Sequence, residues 1–324
     1  MTVHALPALR CLFAALLAWP FIGVQAAYPE KPVRFVVGLA PGGASDFAAR
    51  TIAARLSASI GQQVIVDNRA GAGGSIAAGI VARSAPDGYT MLLGSRSNFV
   101  MDALINKNLG YDPRRDLAAV TLATSQSMVL VVHPSVAART VAELIALAKT
   151  QPGKLTYASG GTGTGTHLAG ELFARLAGIS IVHVPYKGGS QSMVDLIAGQ
   201  INLIFQSLPT AAPHIRANRI RALAVTTARR SALLPELPTV AESGLAGYEA
   251  DNWYGIAVAA KTSRDAVRLL NREIVAVLNH AEVRQALLQQ GLEPAPCSAD
   301  AFASHIQADF DKWGKIVADI GLAQ

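Results

Sequence analysis

Short apolar runs of β type alternate with helical segments along the first hundred residues of this 324-residue chain. Segments 33–38, 63–67 and 89–94 have the composition of strands, and segments 46–60 and 75–84 between them have the composition of helices. Alternation of this kind is typical of βαβ units, whose strands form a buried parallel sheet. The chain is therefore predicted to begin with an α/β unit.

The same alternation restarts near residue 130, which indicates a second α/β unit. Its predicted strands are 155–159, 181–186, 201–205 and 221–226, and its predicted helices are 141–149, 167–177, 190–198 and 209–217. Residues 228–252 are rich in Pro, Gly and Ser, and 253–259 then has the composition of a strand that returns to the first unit. The last segment, from residue 302 onward, is predicted to be an amphipathic helix because its large apolar residues recur every three or four positions.

Two α/β lobes joined by crossing strands follow from this order of elements. A chain of about 300 residues exceeds the usual size of one hydrophobic core, which also favours two lobes. Lobe 1 is expected to comprise 27–130 plus 250–324, and lobe 2 to comprise 131–249. Two lobes connected in this way close like a Venus flytrap over the cleft between them.

The N-terminal segment has the layout of a secretory signal peptide. Residues 1–10 carry one Arg and no acid, residues 11–24 are almost wholly apolar, and small residues follow at Ala26 and Ala27. We predict that 1–26 is removed and that the mature protein is periplasmic. The alternative is an uncleaved membrane anchor, which Pro20 disfavours because a spanning helix needs about 20 apolar residues without a breaker.

Charge and cysteine content argue against several classes of partner. The chain has 28 basic and 22 acidic residues, and the basic residues are scattered rather than clustered with aromatics, so we expect no nucleic-acid partner. Of the two cysteines, Cys11 lies in the predicted signal peptide, which leaves Cys297 without an internal disulfide partner. Neither Cys297 nor the dispersed histidines form a metal-ligand pattern, so no cofactor or metal is expected.

No catalytic motif fits the chain. The glycine runs do not satisfy GxGxxG, and the Gly-Lys pair at 153–154 is followed by Leu155 where a Walker A sequence needs Ser or Thr. The GxSxG and HExxH patterns are also absent from the sequence. We therefore expect a protein that is not an enzyme; an exported enzyme is the alternative, which formation of any product would reveal.

Three glycine-rich segments, 40–46, 159–167 and 186–190, lie where predicted strands end and predicted helices begin. In open α/β sheets, ligands bind outside the carboxyl ends of the strands. Glycine lets backbone N–H groups approach a ligand, and a helix N-terminus favours an anion. The segments therefore predict a site that favours an anion, with plain turns and helix caps as the alternative. His167 is either a ligand contact or a histidine at the start of a helix.

Ten short motifs run in order through nearly the whole predicted mature chain. They are YPEKPVR (28–34), PGGASD (41–46), NRAGAGG (68–74), PDGYT (86–90), YDP (111–113), YASG (157–160), HLAGE (167–171), VPYKG (184–188), AGQ (198–200) and LPT (237–239). In these motifs the chain resembles the Bug-type solute receptors, the substrate-binding proteins of tripartite tricarboxylate transporters. The resemblance implies a two-lobe, type II periplasmic-binding-protein fold that captures a small carboxylate and delivers it to membrane permease subunits.

The resemblance also implies that the first strand-to-helix loop and the Ser-Gly-rich loop of lobe 2 hold the carboxylate. Two further contacts are expected from the loop after the third strand, and one from the start of the third glycine-rich segment. The expected ligand-binding residues are Ala40, Pro41, Gly42, Gly43, Ser45, Ser95, Asn98, Ser159, Gly160, Thr162, Gly163, Thr164 and Tyr186.

The chain departs from the family pattern in residues 95–103, where the family usually has a His-containing stretch and an Asn-Pro. This chain has Arg96 in the first stretch and Asp102-Ala103 in place of the second. Because this loop is expected to face the cleft, Arg96 is a candidate to pair with a second carboxylate. The solute stays open among amino acids, di- and tricarboxylates, and aromatic or nicotinate-like acids. A monomer is expected, and the alternative function is a solute sensor that docks onto a membrane signalling kinase.

Overall fold

The computed structural model describes residues 28–39, 41–186, 189–231 and 233–319. The predicted signal peptide, 1–26, lies outside the described residues, as do Ala40, Lys187 and Gly188 of the glycine-rich segments. Within the described ranges, no helix combines the length and apolar character that crossing a membrane requires.

Strands and helices alternate through most of the described chain. From the N-terminus to the end of the first crossing they are β1 (Val33–Val37), α1 (Ala44–Ile60), β2 (Val64–Asn68), α2 (Ser75–Ala82), β3 (Thr90–Ser95), α3 (Asp102–Ile105), α4 (Pro113–Asp116), β4 (Leu117–Gln126) and β5 (Met128–Val132). They continue with α5 (Val141–Thr150), β6 (Thr156–Ser159), α6 (Gly165–Ala177), β7 (Val182–Pro185), α7 (Gly189–Ile197), β8 (Leu203–Ser207), α8 (Leu208–Arg216) and β9 (Arg221–Val225). The last elements are β10 (Asn252–Ala259), α9 (Arg264–Asn279), α10 (Ala281–Gln289), β11 (Glu293–Pro294) and α11 (Ala299–Asp319).

These strands form two sheets. The first has the order β11-β4-β10-β3-β1-β2, and the second has the order β7-β6-β8-β5-β9. Ser127 alone separates β4 of the first sheet from β5 of the second. The chain returns after β9, and Ala250 N–H donates to the carbonyl of Thr226 at 2.8 Å just before β10 begins. Two segments therefore cross between the sheets side by side.

The parallel arrangement predicted for the first three strands is confirmed, although each complete sheet is mixed. Strands β1, β2 and β3 are parallel, as are β6, β7 and β8, whereas β10 and β5 run antiparallel to their neighbours. The reason is the crossing. Strands β5 and β10 each enter their sheet from the other sheet, so they start at the junction and run away from it. Strands β1, β3, β6 and β8 run towards the junction and end there, so β5 and β10 have the opposite direction.

Apart from the last helix, which begins three residues earlier than predicted, the predicted strands and helices agree with the structure to within two residues at each end. The sequence did not predict β4 or the helices α9 and α10. The apolar stripe of α11 is confirmed, because Phe302, Phe310, Trp313 and Val317 are buried. Helix α11 also contacts the part of the chain that forms the second sheet, since Asp319 pairs with Arg175 on α6.

Candidate functional site

The first glycine-rich loop leads from β1 into α1, and Pro41, Gly42 and Gly43 are exposed there. Gly43 is the N-cap of α1, with φ −86° and ψ 175°, and no side chain among the described residues caps this end of the helix. The first amides of a helix have no partner within it, so an uncapped N-terminus can hold an anion. Gly42 N–H is already used, because it donates to Asp46 Oδ2 at 2.9 Å.

Two polar atoms under this loop are buried without a hydrogen-bond partner among the described residues: Ser45 Oγ and Asp46 Oδ1. The other Asp46 oxygen accepts from Arg50 Nε at 3.0 Å, and this hydrogen bond is the main reason why the pKa of Asp46 lies below its usual value. A buried hydroxyl without a partner costs free energy. Ser45 is thus a donor that a bound solute, directly or through water, could satisfy.

The second glycine-rich loop connects β6 to α6 and is folded onto itself. Ser159 is fully buried, and its Oγ lies 2.6 Å from His183 Nε2. Thr164 caps α6, and its hydroxyl donates to the carbonyl of Gly161 at 2.7 Å. Gly160 N–H donates to Thr166 Oγ1 at 2.9 Å. Most of the polar groups predicted to face the solute therefore hold the loop in shape, and Thr162 is the exposed one.

Two stacked histidines support this loop from below. The rings of His167 and His183 lie 3.9 Å apart, and Gly163 N–H donates to His167 Nδ1 at 3.1 Å. His167 is only 4 % exposed. Of the two interpretations of His167, the structure favours the second, a histidine at the start of a helix. Its ring positions the loop by accepting from Gly163 N–H.

The buried histidine pair predicts a loss of stability in acid. Burial lowers the pKa of His167 and of His183 to about 4. A lowered histidine pKa favours the neutral form in the fold, so stability present above pH 6.5 is lost as the pH falls toward 4. We expect the free energy of unfolding to drop by an amount on the order of 2 kcal/mol between pH 7 and pH 5. Urea titrations at both pH values measure it, and His167→Gln should reduce the drop. An equal drop in that variant would assign the acid sensitivity to other groups.

Tyr186 follows β7, and its hydroxyl donates to Asp195 Oδ2 at 2.6 Å. This hydrogen bond, with a smaller contribution from burial, raises the pKa of Tyr186 to about 12. The Tyr186 carbonyl also lies 3.3 Å from the position that a Cβ on Gly161 would occupy. Tyr186 therefore packs beside the second loop.

A fourth glycine-rich segment, which follows β2, lies beside the first loop. Residues Ala72–Gly74 form a 3-10 turn, and a Cβ on Gly38 would lie only 2.7 Å from Gly74 Cα. Asn98, from the π-helical turn Ser97–Met101, connects this segment to β3. Its Nδ2 donates to the Gly73 carbonyl at 3.1 Å, and its Oδ1 accepts from Ser95 N–H at 3.0 Å. Ser95 and Asn98 are thus hydrogen-bonded to each other, and Asn98 connects β3 to the fourth glycine-rich segment.

A cavity of about 610 Å³ lies between this region and the second loop. Its walls are residues of α2, the π-helical turn and α3 on one side and Thr162, Gly163 and Thr164 on the other. The cavity thus brings together three of the expected ligand-binding residues. The described residues of the first loop are not among its lining residues, nor are Ser95, Asn98, Ser159 and Tyr186.

Arg96 does not face a solute, which corrects the expectation that it pairs with a second carboxylate. It is 4 % exposed, and its Nε lies 2.6 Å from Asp309 Oδ2 while its other nitrogens pair with Asp251. Its guanidinium lies over the rings of Trp253 and Trp313, at 5.8 and 5.3 Å from their centres. Both carboxylates lie more than 150 residues further along the chain, so the sequence alone gave no sign of them.

Sequence reasoning also missed His183 and Asp102. His183 had no motif to mark it, because it reaches the second loop only through the pairing of β7 with β6. Asp102 lines the cavity and stands in the segment where the chain departs from the family pattern. The segment 68–74 could have been recognised as part of the site, because it has the same position after a strand as the other glycine-rich loops.

The chain has two mixed β-sheets with helices around them, two segments that cross between the sheets, and glycine-rich loops at the junction. This architecture defines a two-lobe binding protein. The chain belongs to the family described as tripartite tricarboxylate transporter family receptor, which matches residues 48–322. It is 35 % identical over 295 residues to protein BugT of Bordetella pertussis, covering 91 % of this chain and 90 % of BugT. The resemblance to Bug-type receptors is thereby confirmed.

Solved structures of relatives confirm the fold class. The R. palustris protein Rpa4515, solved with adipate, is 36 % identical with a TM-score of 0.80, covering 91 % of this chain and 99 % of its own. MatC (Rpa3494) from Rhodopseudomonas palustris, solved with bound malate, is 27 % identical with a TM-score of 0.76, covering 90 % of this chain and 100 % of its own.

Proposed function

We propose that this protein is a non-enzymatic extracytoplasmic receptor. It captures one small carboxylate-bearing solute between its two lobes and delivers the solute to the permease subunits of a tripartite transporter. The observation that carries the proposal is the N-terminus of α1, which no described side chain caps and which is the next element after β1, at the junction of the sheets.

The chemistry of the loops suits a carboxylate. The N-terminus of α1 offers unpaired backbone N–H groups and the unpartnered hydroxyl of Ser45. Thr162 offers a hydroxyl from the second lobe. Neither 41–46 nor 159–166 contains a basic residue. The first carboxylate would thus be held by backbone and hydroxyl donors rather than by an arginine.

The relatives support this class of solute. Adipate and malate, held by Rpa4515 and MatC, are both dicarboxylates. The proposal includes removal of 1–26, a periplasmic location, a monomer, and lobes that comprise 27–130 plus 250–324 and 131–249. It keeps the expected ligand-binding residues, with Gly43 and Thr162 as direct contacts, Ser45 as a donor that acts directly or through water, and Ser159, Asn98 and Thr164 as residues that hold the loops.

Binding and closure test the proposal together. A thermal-shift screen of small carboxylates, including adipate and malate, should identify a stabilising solute, and at about 100 times its dissociation constant it should add roughly 2.7 kcal/mol to the free energy of unfolding. Small-angle scattering should then show a smaller radius of gyration with that solute than without it.

Two results would contradict this account. If no carboxylate stabilises the protein, the proposed class of solute is wrong. If the radius of gyration does not change with a saturating solute, the proposed closure of the lobes is wrong. Mass spectrometry of the solute after incubation should show no product, since a product would indicate an enzyme.

A further inference from the structure

One carboxyl group lines the cavity between the lobes. Asp102, the first residue of α3, has Oδ2 within 2.6 Å of Ser75 Oγ and 3.4 Å of Asn98 Nδ2. Ser75 Oγ also lies 2.8 Å from the carbonyl of Ala72. A serine hydroxyl has one proton, so it cannot donate to both acceptors. The Ala72 carbonyl also accepts from the Ser75 N–H, so the hydroxyl proton is available to Asp102, and the donors to this carboxylate, Ser75 and Asn98, are neutral.

No cation within the described ranges compensates the charge of Asp102. Its carboxylate has no Lys, Arg or His nitrogen within 4.0 Å in the described residues. Arg83 is the other charged residue that lines the cavity, and it donates to the carbonyl of Gly110 at 3.2 Å. Ser75 and Arg83 are eight residues apart on or just after α2, about 12 Å along its axis. The Arg83 side chain turns back along the helix, since a Cβ on Gly79 would lie 3.0 Å from Arg83 Nη2.

The ionised form of Asp102 lowers the stability of the fold at neutral pH. Burial raises its pKa to about 6, although hydrogen bonds with Ser75, Asn98 and Tyr111 act in the opposite direction. A raised carboxyl pKa means that the stability present below pH 3.8 is lost as the pH rises through 6. Groups kept in a costly state inside a cavity are candidates for binding.

We propose that Asp102 accepts a hydrogen bond from a hydroxyl or ammonium group of the solute. The preferred solute then carries such a donor in addition to its carboxylate, as a hydroxy acid or an amino acid does. The inference rests on the proposed function and narrows its solute class. A plain dicarboxylate such as adipate offers only acceptors when ionised, whereas malate adds a hydroxyl.

The walls of the cavity fit the carbon chain of such a solute. On the side of α2, Ile76 and Ile80 face the cavity, and the Arg83 guanidinium lies over Gly79 between them. On the other side lie Ile105 and Leu109, close to the second loop, because a Cβ on Gly163 would lie 3.1 Å from Ile105 Cδ1. Asp102 is the negatively charged acceptor in these walls, so it is the group that orients a donor there.

Matched pairs of solutes test the inference by isothermal titration calorimetry at pH 7.5. Malate and aspartate are compared with succinate, and the tightest carboxylate from the screen is compared with its analogue that lacks the donor. We expect at least about tenfold tighter binding of the donor-bearing member, the size of one charge-assisted hydrogen bond. If the tightest carboxylate has no donor, the inference fails and the proposed function stands. If no carboxylate binds, both fail.

The variant Asp102→Asn keeps the shape of the side chain and removes its charge. We expect it to reduce the affinity for the donor-bearing solute about tenfold or more while changing that for the analogue little. It should also raise Tm at pH 7.5 but not at pH 4. The matched control is Asp87→Asn, whose carboxylate pairs with Lys31 at the surface. Equal weakening of both solutes would show that Asp102 only holds Ser75 and Asn98, and would overturn the inference.

Discussion

Gly43→Asp is expected to reduce solute binding by at least about 100-fold. Gly43 is the N-cap of α1 with φ −86°, a conformation that any residue adopts, and Asp is a preferred N-cap residue. The new carboxylate would therefore cap the helix at the position proposed for the carboxylate of the solute. It would block the site by its volume and repel the solute by its charge.

The control for this change is Gly43→Asn, which has nearly the same volume and is also a good cap but carries no charge. We expect an intermediate loss of affinity, and the difference between the two variants measures the electrostatic part. Thermal unfolding should show that both variants are as stable as the parent. A folded Gly43→Asp protein that binds the solute as tightly as the parent would show that the first loop is only a turn and a helix cap.

Arg96→Met is expected to lower the free energy of unfolding by about 3–5 kcal/mol. Arg96 lies between Asp251 and Asp309, and its loss leaves a partly buried and a buried carboxylate without their cation. Trp253 Nε1 donates to the same Asp309 oxygen at 2.9 Å, so this cluster connects β10 to α11. Urea denaturation measures the loss.

Arg114→Met provides the comparison, since Arg114 is exposed and lies over the ring of Phe310 at 4.9 Å. It should cost less than about 1 kcal/mol. Combining Arg96→Met with Asp251→Asn and Asp309→Asn should restore part of the stability, because no buried charge is then left unpaired. If the Arg96→Met variant is as stable as the parent and loses only solute binding, then Arg96 contacts the solute in the cleft and its structural role is refuted.

The α/β alternation was predictable because it depends on local patterns. The predicted strands are short, mainly apolar runs, several of which, such as β1 and β6, end in glycine-rich sequence, and the helices that follow have apolar residues at helical spacing. Strand β4 was missed because its sequence, LAAVTLATSQ, is made mainly of small and polar residues without a clear period of two. Its strand character depends on pairing with β10 and β11, which only the folded chain provides.

The site was predictable at the level of loops but not of side-chain roles. Glycines after strands marked the first two loops correctly as loops between a strand and a helix. The sequence could not show that Ser159 Oγ is engaged by His183, nor that Asn98 connects Ser95 to Gly73. Those partners come from neighbouring strands and from the π-helical turn. For the same reason, Asp102 drew notice only as a departure from the family pattern.

Backbone amide shifts test the central claim most directly, that helix and loop N–H groups hold the carboxylate of the solute. In a ¹⁵N–¹H correlation spectrum, saturation with the tightest carboxylate of the screen should move the amide protons of Gly43, Ala44 and Thr162 downfield, as hydrogen bonding to an oxygen anion requires. The amide of Arg264, at the start of α9, should not move. Unchanged signals of Gly43, Ala44 and Thr162 at full occupancy would contradict the account, whatever the affinity of the solute.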